Sequence, residues 1–124
     1  MDQPVEHRCI ADIRVVAEPR WPEIEPGWIE PDEARRIGQE GLRRPILITA
    51  EGELIHGIAA LRVYRDDLGR SEIPVRVVDL DGIISGSYSG DQLRAEFEPA
   101  ERAGIRRMIE RRLVRPDVLA ALSA

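Results

Sequence analysis

The sequence contains no lysine, so all 18 of its basic residues are arginine. A preference for arginine codons accounts for that composition as well as phosphate recognition does. Arginine content alone therefore does not mark a nucleic-acid binder. Cysteine occurs once, at Cys9, which excludes an intramolecular disulfide and a multi-cysteine zinc site. Cys9 opens a strand-like segment and reads as a small buried apolar residue rather than a nucleophile. The two histidines, His7 and His56, are far apart and form no HxH or HxxxH pair, so no metal site is expected. Aromatic residues make up only 4% of a chain that is 43% hydrophobic, which requires an aliphatic core. No stretch approaches the roughly 18 consecutive apolar residues of a membrane span. The first residues, Met1 to Arg8, lack the apolar run of a signal peptide. A cytoplasmic protein with no membrane partner is the expectation.

What the chain does have is one domain's length, 124 residues, and a net charge of −5. An acidic chain is not covered by a nucleic-acid footprint, but its charge is uneven. From Arg94 to Arg115 there are seven arginines against four glutamates, +3 in 22 residues, while the rest of the chain carries −8.

Cys9 to Val16 reads as a strand, with Ile10, Ile13 and Val15 as its apolar positions. Pro19, Pro22, Pro26 and Pro31 forbid regular structure between Ala17 and Pro31. Trp21 and Trp28 in that loop are expected to pin it to the body of the domain. Pro31 to Glu40 predicts a helix, with Pro31 in its first turn, Asp32 and Glu33 at its positive end and Gly41 as its stop. Pro45 to Thr49 and Leu54 to His56 predict a hairpin around Ala50-Glu51-Gly52-Glu53. Ile58 to Leu68 predicts a helix stopped by Gly69. Ile73 to Val78 predicts a strand, and Asp79 to Gly90 a Gly/Ser-rich connection. Helices are expected over Asp91–Phe97, Pro99–Val114 and Pro116–Leu122. The expected class is α+β, a small mixed β-sheet with packed helices and a helical C-terminal extension. The expected division is a core over residues 1–90 and an extension over 91–124.

Three segments carry a resemblance. Gly41-Leu42-Arg43-Arg44-Pro45-Ile46-Leu47-Ile48 is similar to a "GL-x-x-PI-x-V" passage. Leu54-Ile55-His56-Gly57, then a helix, then Ile73-Pro74-Val75 is similar to an "lidG" step followed by an "IPV-x-V-V" strand. Gly90 to Ala103 looks like "ENxxRxxLsPxEeA", with Arg94, Pro99, Glu101 and Ala103 in register. In this order they resemble the ParB/sulfiredoxin superfamily, above all the N-terminal domain of ParB-type partition proteins, over residues 10–103, about three quarters of the chain.

The departures bear on function. The partition proteins' "GERRxRA" is here Gly57-Ile58-Ala59-Ala60-Leu61-Arg62-Val63, keeping the glycine and one arginine. The resemblance implies that the lost arginines would have neutralised the phosphates of bound CTP, a task aliphatic side chains cannot perform. Helix N-terminal amides near Gly57 still offer an anion some affinity. The glutamate and asparagine that lead the third segment are Gly90 and Asp91, and Asp91 alone is a poor magnesium site. Sulfiredoxin needs a cysteine beside the second segment's glycine, and this chain has none there. A third branch resembles free serine kinases, with Glu18 near the position of their glutamate and His56 where their acid stands, but without the His-His-Arg that follows.

For the candidate residues two readings stand side by side. His56 either binds an anion or ends its strand with local hydrogen bonds. Arg62 either contacts phosphate or pairs with Asp66 one turn on. Arg106, Arg107 and Arg111, with Arg102, Arg112 and Arg115, either lie on DNA or form a solvated face laced with Glu98, Glu101 and Glu110. Ile105, Met108, Ile109 and Leu113 form an apolar stripe that must be buried on the domain or on a second subunit.

These readings converge on a ParB-like domain protein, non-catalytic or weakly nucleotide-binding, that acts in DNA-associated assembly or regulation. Gly57, Arg62 and Arg94 are its candidate anion-binding residues, and CTP or ATP with magnesium the candidate ligand. A homodimer through the C-terminal helices and a DNA or DNA-bound protein partner are expected. The balance is against an enzyme. The alternative is an enzyme with a rebuilt pocket using Glu18, His56, Asp91 and Arg94 on a nucleotide or phosphorylated small molecule. A third reading is a DNA-binding module built on the C-terminal arginines.

Overall fold

A computed structural model describes residues 5–15 and 28–113. Four strands form one mixed sheet: β1 (Glu6–Cys9), β2 (Ile46–Ile48), β3 (Leu54–His56) and β4 (Glu72–Val77), in the order β1-β4-β2-β3. β1 and β4 are antiparallel, β4 and β2 parallel, and β2 and β3 antiparallel. The helices are α1 (Pro31–Glu40), α2 (Ile58–Arg62), α3 (Leu80–Ile84), α4 (Gly90–Glu96) and α5 (Pro99–Leu113). The class is α+β, as the sequence predicts.

Period-two alternation gives the sheet two apolar faces. Ile46, Ile48, Leu54, Ile73 and Val75 point to one, where they pack with Ile37 of α1 and with Ile58 and Leu61 of α2. Leu47 and Ile55 point to the other, where they pack with Val78, Leu80, Phe97, Ile105 and Met108. Ile48, Leu54, Ile55, Ile73 and Val75 are completely buried. Each contributes about 1.5–3 kcal/mol, against about 0–1 kcal/mol for an exposed ion pair. Aliphatic burial on both faces therefore holds the fold.

The hairpin between β2 and β3 closes as predicted. Thr49 is buried and its Oγ1 accepts the Glu53 N–H at 3.1 Å, while Gly52 takes the left-handed conformation the turn requires. Pro31 and Gly41 bound α1 as their chemistry dictates, with the Gly41 N–H donating to the Ile37 carbonyl at 2.9 Å.

Four sequence expectations are corrected. The first strand does not run from Cys9 to Val16: β1 ends at Cys9, and Ile10–Asp12 form a 3₁₀ turn. Ile10 and Ile13 are both buried in the same cluster. A spacing of three puts two side chains on one side only if the chain turns. The chain crosses the end of the sheet there, and Arg14 bridges to Glu53 next to β3. Cys9 is exposed rather than buried, because β1 is an edge strand whose residues are mostly exposed. The helix expected over Ile58–Leu68 is α-helical only to Arg62 and continues as a wider π turn over Val63–Asp67. The Leu68 N–H reaches back five residues to the Val63 carbonyl, and Val63 and Tyr64 are both buried. Finally, the 79–90 connection contains α3. The Asp79 side chain caps that helix by accepting the Gly82 N–H at 3.0 Å and the Tyr88 hydroxyl at 2.9 Å. Glu18, Trp21 and the helix expected over Pro116–Leu122 lie outside the described residues.

Candidate functional site

The passage from β3 into α2 turns at Gly57, whose φ of 110° lies in the left-handed region. A Cβ there would run into the Ile46 side chain, so only glycine lets the first turn of α2 sit against β2. Beside this step lies a cavity of about 270 Å³. Ile46, His56, Gly57, Ala59 and Ala60 line it. Its charged lining is mixed: Arg36, Arg43 and Arg44 face Glu33, Glu98 and Glu101.

Two of those arginines are engaged. Arg36 donates to both carboxylate oxygens of Glu33, one contact being 2.9 Å. That hydrogen bond holds the Glu33 carboxyl below the usual carboxylate range. Arg44 donates to Glu101 at 3.2 and 2.6 Å and to the Glu96 carbonyl at 3.0 Å. The Glu101 bond is the main reason that the Arg44 pKa is raised further. Glu101 is 2% exposed and also accepts the Glu98 N–H at 2.8 Å, just ahead of α5. Nearby, Arg76 pairs with Glu96 at 2.7 Å and lies 4.6 Å over the Phe97 ring. The Arg76 hydrogen bond lowers the Glu96 pKa. The "PxE" segment thus works as a clasp. Pro99 starts α5, and Glu101 ties that start to the "GL-x-x-PI" segment through Arg44.

A second cavity, about 420 Å³, lies between α4 and α5. Its lining contains Arg94, Arg102 and Arg106 with Leu93, Pro99 and Ala103, and no acid.

The structure divides the candidate residues among several places. His56 and Gly57 line the first cavity, and Arg94 and Arg106 line the second. Asp91 lines neither; it is exposed and paired with Arg94 one turn on. The four residues of the rebuilt-pocket alternative are therefore not gathered at one site: His56 stands apart from Asp91 and Arg94, and Glu18 is outside the described residues. Arg62 is exposed on α2. The ion pair at Asp66 is made by Arg65, at 2.8 Å, with the Arg62 charge a smaller influence on the carboxyl.

Arg107 is not exposed as Arg106 and Arg111 are. It is 1% exposed and directed at the Leu54 carbonyl, 3.4 Å away, so it cannot reach a DNA phosphate. Gly104 makes room for this arrangement. A Cβ there would lie 2.6 Å from the Ile55 carbonyl oxygen, so α5 approaches β3 closely and Arg107, one turn later, lies over the strand. Ile105 and Met108 are buried on the sheet and Ile109 packs beside them; that much of the apolar stripe is occupied within the chain.

Sequence reasoning missed Arg44, and it named Arg102 only among the arginines of the long helix. The pairing of Arg44 with a buried acid 57 residues away leaves no local signal. Arg102 precedes Arg106 by one helical turn, a spacing visible in the sequence. Among the described residues no three His, Cys, Asp or Glu side chains are grouped so as to hold a metal ion, and no helix is long and apolar enough to cross a membrane.

No family model and no curated protein matches the chain. Among solved structures, a Pnob8-like ParB-N domain superposes with a TM-score of 0.51 at 15% identity, over 97% of this chain and 48% of that one. The chain thus spans about half the length of that structure. Likeness at this identity speaks to architecture alone, and on that ground the chain has a ParB-like fold.

Proposed function

We propose that the chain is a ParB-like module without nucleotide hydrolysis, binding nucleotides weakly or not at all, that acts in DNA-associated assembly or regulation. The observation that carries this reading is the lining of the cavity at Gly57. Ala59 and Ala60 stand where the resemblance would place arginines, and Glu33, Glu98 and Glu101 line the same space. A triphosphate needs charge-assisted donors. Here Arg36 and Arg44 already serve carboxylates, and bringing further negative charge beside those acids is unfavourable. CTP or ATP with magnesium therefore fits the residues poorly. In this reading DNA or a DNA-bound protein is the partner, and two copies of the chain meet through their C-terminal helices.

Isothermal titration with CTP, ATP and GTP in the presence of magnesium, paired with a phosphate-release assay, tests the proposal. The expected result is no turnover and no binding tighter than about millimolar, or about −4 kcal/mol. Micromolar binding accompanied by phosphate release would overturn it.

A further inference from the structure

Three of the glutamates around the start of α5 are engaged away from the groove between α4 and α5. The stretch from Arg94 to Arg115 contains Glu96, Glu98, Glu101 and Glu110. Glu96 is drawn to Arg76, and Glu98 and Glu101 to Arg44. Those three carboxylates neutralise arginines on the cavity side of the helix start. None of the four glutamates lines the groove between α4 and α5, which presents Arg94, Arg102 and Arg106. The groove thus presents three arginines and no carboxylate on a chain whose net charge is −5.

Arg102 and Arg106 are one helical turn apart, about 6 Å along the axis of α5, and Arg94 faces them from α4. The Arg94–Asp91 pair does not close the groove. Its side chains are 63% and 92% exposed, and so exposed a pair holds its partners weakly. Arg102 donates to the Phe97 carbonyl at 3.3 Å, a single bond that leaves its other guanidinium donors for a ligand in the groove it lines. Guanidinium groups present paired donors that match phosphate oxygens. The rest of the lining, Gly90, Leu93, Pro99 and Ala103, has no aromatic ring to stack on a base. Single-strand binding sites rely on such rings, so the groove is suited to the backbone of a duplex and not to its bases.

We propose that Arg94, Arg102 and Arg106 form a phosphodiester-binding groove for double-stranded nucleic acid, engaging it without sequence preference. This rests on the DNA-associated reading above and assigns the contact surface to the α4–α5 groove.

The test is fluorescence anisotropy of the whole chain with a labelled mixed-sequence DNA duplex, across a salt series. Wild type is expected to bind at low salt, with log affinity falling against log salt at a slope of roughly −2 to −3, as for up to three phosphates. The double variant Arg94→Gln/Arg106→Gln retains Arg102 and its bond to Phe97. It is expected to keep its circular dichroism spectrum, lose on the order of tenfold in low-salt affinity, and flatten the slope by about two. The control Arg35→Gln/Arg65→Gln removes two exposed arginines outside the groove and should change neither.

Equal losses in the groove and control variants, or none in the groove variant, would overturn the groove while leaving DNA association standing. Failure of wild type to bind the duplex would also overturn it, leaving the assembly reading to its nucleotide test. Binding of oligoglutamate in place of the duplex, with the same dependence on Arg94 and Arg106, would assign the groove to an acidic protein segment and overturn the nucleic-acid assignment.

Discussion

Arg44 grips the carboxylate of Glu101 through two nitrogens, at 3.2 and 2.6 Å, across 57 residues of sequence. The two ends of the contact differ in exposure: the Glu101 side chain is 2% exposed and that of Arg44 38%. Removing the arginine leaves a buried carboxylate with part of its hydrogen bonding, whereas removing both partners leaves no orphaned charge. Arg44→Met is therefore expected to cost about 2–3 kcal/mol, discounted from a fully buried pair because Arg44 reaches solvent. The double variant Arg44→Met/Glu101→Leu should cost clearly less than the sum of the two single changes. Urea midpoints for the four proteins of this cycle decide it, and strict additivity would show that the contact contributes nothing.

Gly104 lies inside α5, where alanine ordinarily adds about 1 kcal/mol of helix propensity. Here the sign should reverse. The added Cβ would sit 2.6 Å from the backbone oxygen of Ile55, and a β-strand carbonyl cannot swing aside as a side chain does. Gly104→Ala is expected to destabilise by about 1–3 kcal/mol, the usual range for overpacking. A thermal melt is sufficient, and an unchanged or raised Tm would mean that α5 is not seated this closely on β3.

Much of this arrangement is legible in the sequence because it rests on local chemistry. Pro31 and Gly41 bound α1, Gly52 makes the hairpin turn, and Ile46-Leu47-Ile48 is too apolar to be anything but an interior strand. What escapes is of two kinds. Ile10 and Ile13 read as strand residues by composition, yet their spacing of three suits a turn, and only the distant partner of Arg14 shows where the chain goes. α3 is hidden by its glycine and serines, although Asp79 as a cap with Leu80, Ile83 and Ile84 at helical spacing was a usable signal. At the candidate site, Gly57 and the aliphatic run after it could be read directly. The commitment of Arg44 to Glu101 could not, since nothing within a turn of either residue announces it.

Acid should weaken the fold through Glu33 and Glu96. The hydrogen bond from Arg36 lowers the first carboxyl and that from Arg76 the second, each below a reference of 4.5. The unfolded chain takes up protons at these groups before the folded one does as pH falls. Their stabilising contribution is thus complete above the unfolded value and disappears as pH drops through the folded values. Urea midpoints should be flat near neutrality from these two groups and fall below about pH 4.5. Glu96→Gln should lower stability near neutrality and make the acid limb shallower; an acid limb as steep as wild type's would remove Glu96 from the account.

Arg106 and Arg107 are adjacent in sequence and opposite in setting, which separates stability from binding. Arg106 is exposed and lines the α4–α5 groove, whereas Arg107 is 1% exposed and directed at the Leu54 carbonyl. Arg106→Gln removes no buried contact, so its urea midpoint should stay within about 0.5 kcal/mol of wild type, while duplex binding loses about one unit of salt slope. Arg107→Ala empties a packed position and takes a donor from β3. It should cost about 2–4 kcal/mol and leave the salt slope of the remaining folded protein unchanged. If Arg107→Ala instead flattened the slope at unchanged stability, Arg107 would face solvent, and the packing of α5 on the sheet as described would be wrong.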